Sequence, residues 1–125
     1  MMTPDWTDDQ PIYRQLKDKV MGAIIDGSLK EGEALPSVRT LAVEMAINPI
    51  TASRAYQELV ADDLVEKRRG LGMYVIEGAR EKVLEAERRR FLDEDWPRIR
   101  ERIEALGLDA GTLLRNTDQQ TGRDA

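Results

Sequence analysis

The chain contains no cysteine and no histidine. Disulfides, thiol nucleophiles, imidazole bases and zinc sites of the usual Cys/His kind are therefore excluded, and with them most routes to hydrolytic or redox catalysis. Carboxylates are plentiful, but Glu81, Glu85, Glu94, Asp95 and Glu101 fall on charged helical patterns, where a solvated surface is expected and an acid/base pair is not. No enzyme and no cofactor is predicted. Apolar runs approaching ~18 residues are missing, as is a cationic leader with an apolar core, so neither membrane insertion nor secretion is expected and the cytoplasm is the predicted compartment. Aromatic residues make up only 5% of the 125 residues, against 34% charged and 41% hydrophobic, the balance of a helical, well-solvated protein with a modest core. An excess of positive charge is lacking too. Net charge is −5; residues 1–78 carry 9 basic and 13 acidic side chains, and residues 79–125 carry 10 and 11. The basic footprint is local, with Lys67, Arg68 and Arg69 consecutive and Arg39 and Arg54 within the stretch Leu35–Tyr56, which fits a binder with a small contact area better than a non-specific coater of DNA.

What is present is a recognisable pattern at Leu35–Tyr56. Ser37 is a good N-cap, and Val38, Leu41, Ala42 and Met45 then share one face of a short helix. The pattern restarts at Asn48-Pro49, a capping residue followed by the residue that best tolerates the first helical position. Ala46-Ile47 is thus a turn. In the second helix Ala52, Ala55, Tyr56, Leu59 and Val60 share a face, while Ile50, Arg54 and Gln57 point the other way. Two short helices with a tight turn and a polar outer face make a helix-turn-helix candidate.

The flanks support that reading. Met1–Gln10 is polar and acidic, and is predicted to be poorly ordered. A helix should start near Pro11, carry Ile12, Leu16, Val20 and Ile24 on one stripe, and end with Gly27 as C-cap. Residues 28–34 read as a loop. After Asp62-Asp63 the period changes: Leu64–Lys67 and Met73–Ile76 are short β-prone runs around Arg68-Arg69-Gly70-Leu71-Gly72, a hairpin whose glycines supply positive φ. A helix-turn-helix followed by a hairpin is a winged helix. Arg68 and Arg69 at the tip, beside Gly70 and Gly72, suit a wing that approaches phosphates or a minor groove.

The segments PIYRQLKDKVMGAIIDGSLKEGEALPSVRTLA, INPITASRAYQEL and LVEKRRGLGMYV resemble, in order and spacing, the DNA-binding domain of the GntR family of bacterial transcription regulators. The resemblance runs from about Gln10 to Ile76. It implies DNA contact by Ser37 and Arg39, by the region from Asn48, Pro49, Ile50 and Thr51 through Ser53 and Arg54, and by the wing around Arg69 and Gly70. On the outer face of the second helix, Arg54 suits guanine O6 and N7 and Ile50 a thymine methyl, with Gln57 beside them. Two departures stand out: Asp63 replaces a frequent glycine, so that the connection before the wing is expected to differ slightly, and Ile50 replaces a frequent polar residue.

Residues 79–125 resemble the small C-terminal module of the YtrA-like subfamily, whose members are typically repressors encoded near transporter operons. Val83, Leu84, Phe91 and Leu92 form one apolar stripe, and Trp96, Ile99, Ile103 and Leu106 a second beyond an expected break at Asp95–Pro97. Gly107 should end that helix, Asp109 should cap a last turn, and Arg115–Ala125 reads as a frayed tail. The helices either pad the winged domain or form a dimer interface, and dimerisation is favoured because a winged domain closes its own core. The expected architecture is α+β and mainly helical: a winged helix-turn-helix at 1–78, then a helical dimerisation module at 79–125. The predicted partners are double-stranded DNA and a second copy of the chain, with no membrane contact; whether a small-molecule effector exists is not legible. The competing function is a winged-helix adaptor that docks a larger protein through its C-terminal helices.

Overall fold

The computed structural model describes residues 5–116. The order is α1 (Ile12–Asp26), α2 (Val38–Met45), α3 (Pro49–Ala61), β1 (Val65–Arg68), β2 (Gly72–Val75), α4 (Ala79–Arg90), a π-helical turn at Phe91–Asp95, and α5 (Trp96–Ala105). Residues 110–116 are also helical. This is the mainly helical α+β winged helix with a helical C-terminal part that the sequence predicts.

Local chemistry sets the helix ends. Gly27 terminates α1 with φ 85, the left-handed conformation that glycine adopts without steric penalty. The Ser37 hydroxyl accepts from the Thr40 N–H at 3.1 Å and so caps α2. Asn48 Oδ1 accepts from the Ile50 N–H at 2.8 Å, with Pro49 as the first residue of α3. Between them Ala46 ends α2 in the left-handed region, φ 55 and ψ 49. Asp63 also has a positive φ, 58, which a glycine would take at less cost. The departure at Asp63 therefore leaves a connection that glycine could also make.

The core of the first unit lies where α1, α2 and α3 meet the hairpin. Leu16, Val20 and Ile24 from α1, Leu41 and Met45 from α2, and Ala52, Ala55, Tyr56 and Leu59 from α3 are buried, with Val65 and Val75 from the two strands. Burying each of the larger side chains contributes roughly 1.5–3 kcal/mol before the entropy of ordering is subtracted. Ile12 departs from the expected α1 stripe. At the open end of the helix it is 38% exposed.

β1 and β2 pair antiparallel, Val65 with Val75 and Arg68 with Gly72. The other edge of β2 is covered by the segment before α2: Leu35 N–H donates to Met73 O at 2.8 Å, and Val75 N–H to Glu33 O at 2.9 Å. That pairing protects a strand edge and ties the wing to the start of the helix-turn-helix.

Two sequence expectations need correction. Of Met1–Gln10, expected to be poorly ordered, residues 1–4 lie outside the described residues, while the following ones are tied to the helices: Trp6 Nε1 donates to Met45 O at 3.2 Å, and Gln15 Nε2 donates to Thr7 O at 2.8 Å. The break expected at Asp95–Pro97 is absent. Trp96 N–H bonds to Phe91 O, a widened i→i−5 turn that displaces the carbonyls Pro97 would otherwise strike, so the helix passes through the proline. Beside the expected boundary at 78/79, contacts separate a unit ending at Glu85 from one beginning at Ala86. Ala79 and Val83 of α4 are buried in the core of the first unit, and Glu31 anchors the start of that helix by accepting from the Arg80 N–H at 3.1 Å. The backbone donors of Gly78 and Arg80 hold the Glu31 carboxyl below the usual glutamate range.

In the second unit α5 ends at Leu106 and Gly107, whose φ is 68. Asp109 caps the following turn by accepting from the Thr112 N–H at 2.9 Å, which lowers its pKa. The predicted tail from Arg115 lies outside the described residues beyond position 116.

Candidate nucleic-acid interface

α3 buries Ala52, Ala55, Tyr56 and Leu59 and turns the opposite face outward. Tyr56 fixes this helix against the entry to α2 by donating its hydroxyl hydrogen to Pro36 O at 2.7 Å; burial, then the Glu44 carboxylate, raises the phenol pKa. On the outer face Ile50 is 78% exposed. Arg54 and Gln57 are exposed as well, and Thr51 and Ser53 are half-buried.

Between α3, the start of α2 and the wing lies an open cleft of about 590 Å³, lined among others by Ser37, Ser53, Gln57, Lys67, Leu71 and Gly72. It brings together four of the residues expected at the DNA interface, Ser37, Ser53, Gln57 and Gly72. A second, smaller concavity at the helix-helix turn collects Arg39, Asn48 and Pro49 beside Val43 and Ile47. Ser37 and Asn48 are also committed to their caps, so the side-chain oxygens that the resemblance offers to DNA already hold backbone donors.

Arg54 is drawn toward α1. Its Cζ lies 3.8 Å from the centroid of the Tyr13 ring, and its Nε 3.9 Å from Glu58 Oε2. Glu58 is shared with Lys17, whose Nζ lies 3.4 Å from Glu58 Oε1 and 2.6 Å from Asp62 Oδ2. Burial pulls the Lys17 pKa down, but the hydrogen bond and charge of Asp62, followed by Glu58, outweigh it and the net shift is upward.

The wing divides its cations between two faces, because side chains alternate along a strand. Val65 is buried, so Lys67, two residues on, lies on the same face and lines the cleft toward α3. Arg68 is on the other face, where its Cζ sits 4.2 Å from the Tyr74 ring centroid and its Nε 3.0 Å from Glu66 Oε1. Arg69 and Gly70 form the tip, closed by Leu71 N–H to Arg68 O at 2.9 Å, with Gly70 at φ 76. Leu71 is 68% exposed there. Lys67, Leu71 and Tyr13 are missing from the sequence-derived site. The alternation from Val65 could have found Lys67; Tyr13 could not be found without the packing of α1 on α3.

Of the residues expected at a dimer interface, Val83 is 1% exposed and packs in the core of the first unit. Leu84 is half-buried and belongs to that unit too. In the second unit Phe91, Ile99, Ile103 and Leu106, with Leu108, line an open groove of about 650 Å³ edged by Asp95, Arg98 and Arg102. Leu92 and Trp96 are not among the groove residues; Leu92 is 61% exposed. Among the described residues no helix is long and apolar enough to cross a membrane.

Residues 12–75 match the profile of the bacterial regulatory proteins of the gntR family. The chain belongs to that family. It is 34% identical over 110 residues to the HTH-type transcriptional repressor YtrA of Bacillus subtilis, which covers 88% of this chain and 78% of the relative. A GntR family transcriptional regulator from Listeria monocytogenes has a similar structure, with TM-score 0.74 at 28% identity over 91% of this chain and 98% of that one. A transcriptional regulator from Oenococcus oeni gives TM-score 0.73 at 27% identity over 94% and 96%. This member of the gntR family is accordingly a DNA-binding transcription regulator.

Proposed function

We propose that the protein is a homodimeric repressor that occludes a promoter by laying the outer face of α3 of each subunit in successive major grooves. The observation that carries the reading is the outward face of α3, with Ile50, Arg54 and Gln57 beside a cleft whose far wall is the basic wing. Bases are read by Arg54, whose guanidinium suits guanine, and by Ile50, whose apolar surface suits a thymine methyl. Arg39, Lys67 and Arg69 neutralise phosphates, and Leu71 at the wing tip faces a groove edge. The footprint is small, which fits a chain of net charge −5 that must bind one operator rather than DNA at large.

A second copy covers the groove of the second unit. Phe91, Ile99, Ile103 and Leu106 supply its apolar floor, and Asp95 with Arg98 and Arg102 places both signs of charge on the rim, as a two-fold, self-complementary contact requires. Two linked half-sites bind far more tightly than one. Ile99→Asp with Ile103→Asp should therefore yield monomers in analytical ultracentrifugation and lose most of the operator affinity in a gel shift. A dimer that survives the double substitution removes the groove from the interface. A monomeric wild-type chain that shifts no duplex would favour the adaptor reading, with a larger protein in the groove.

A further inference from the structure

The contact between Tyr13 and Arg54 joins α1, which the proposed interface does not otherwise use, to the residue assigned to base reading. We propose that Tyr13 is a positioning residue for sequence recognition: its ring carries the Arg54 guanidinium and sets the direction from which that group meets the base. This rests on the reading of Arg54 as a base contact.

An arginine on a helix surface has several rotatable bonds, and fixing them against DNA costs side-chain entropy. Here much of that freedom is already spent. The Cζ lies 3.8 Å from the ring centroid, stacking distance for a guanidinium on an aromatic face. Glu58 Oε2 lies 3.9 Å from Nε and steadies the same group from one turn along α3. Glu58 is itself restrained by Lys17 at 3.4 Å, and Lys17 by Asp62 at 2.6 Å. The support thus runs from α1 to the end of α3 and is not a single loose pair. The stack uses the guanidinium face and the ion pair uses Nε, which leaves the two terminal nitrogens as the edge for guanine O6 and N7. The Arg54 side chain remains 60% exposed, so the support does not bury it. Tyr13 is half-buried against the core, which fixes the ring.

Selection from a random-sequence duplex library, with the full chain and its Tyr13→Leu, Tyr13→Phe, Arg54→Ala and Tyr13→Leu/Arg54→Ala variants, tests the inference. Tyr13→Leu should bind the selected duplex about two- to fivefold more weakly, the value of an exposed stack of this kind, and should relax guanine preference at the same position as Arg54→Ala. Tyr13→Phe should behave as wild type, and the double variant as Arg54→Ala alone. A wild-type motif from a folded Tyr13→Leu overturns the inference, as does additivity in the double variant. A loss in Tyr13→Phe as large as in Tyr13→Leu assigns the effect to the hydroxyl and also overturns it. If Arg54→Ala itself returns the wild-type motif, the base-reading role of Arg54 fails and this inference fails with it. A measurement independent of folding variants is the NMR spectrum of the wild-type chain, where the Arg54 side-chain protons should be shifted upfield by the ring; ordinary shifts would contradict the stack.

Discussion

Ala46 joins the two helices of the helix-turn-helix, and it does so with φ 55 and ψ 49. In that conformation the Cβ of an L-residue crowds the following carbonyl, at a cost of about 1–2 kcal/mol. Glycine escapes the clash but loses more chain freedom on folding, a penalty of roughly 0.5–1 kcal/mol. Ala46→Gly should therefore stabilise the first unit by about 0.5–1 kcal/mol. For a unit of this size that is an increase on the order of 2–8 °C in Tm, readable by calorimetry or by the urea midpoint at constant m. The cap itself uses backbone groups: Ala46 N–H donates to Ala42 O and Val43 O, and the substitution leaves both donors and acceptors in place. Asp63, at φ 58, provides the internal comparison. Because aspartate tolerates the left-handed region better than alanine, Asp63→Gly should gain less than Ala46→Gly. A lower Tm for Ala46→Gly, or a larger gain for Asp63→Gly, would refute the reasoning.

In the wing, Lys67→Ala and Arg69→Ala should each flatten the log–log salt dependence of operator binding by about one unit, and Arg68→Ala should change it less because Glu66 and Tyr74 hold that side chain on the outer face; equal slopes for all three variants would contradict the two-faced wing. Glu31, Asp26 and Asp109 all have lowered pKa values: Glu31 through the Gly78 and Arg80 backbone donors, Asp26 through the Ser28 hydroxyl and then its N–H, and Asp109 through the Thr112 N–H and hydroxyl. A carboxyl with a depressed folded-state pKa contributes stability that is present above its unfolded value and lost as pH falls through the folded one. The urea midpoint should therefore fall from about pH 5 downward, and Glu31→Gln should make that acid limb shallower; an unchanged limb would remove Glu31 from the start of α4.

Signals confined to a few neighbouring residues were legible in the sequence. Ser37, Asn48-Pro49 and Gly27 name the helix ends because each acts on backbone groups within a turn, and the glycines around Arg69 name the hairpin. Apolar periodicity reports that a residue is covered, but not by what. Val83 therefore read as part of a dimer stripe although it completes the core of the winged domain. Pro97 read as a break because the preceding π turn, which removes the clash, has no signature in residue types. Trp6 and Tyr13 act through contacts with residues far along the chain, Met45 and Arg54, and no local pattern announces them. The side of the wing to which each cation belongs was within reach, since Val65 fixes the alternation for Lys67 and Arg68.

Selection of bound sequences by the wild-type chain from a random duplex library tests the central claim most directly. Two recognition helices related by a dimer axis predict an inverted repeat whose half-sites are centred one helical turn apart or a multiple, about 34–36 Å per turn, with a guanine in each half. A motif without two-fold symmetry, or no enrichment at all, would contradict it.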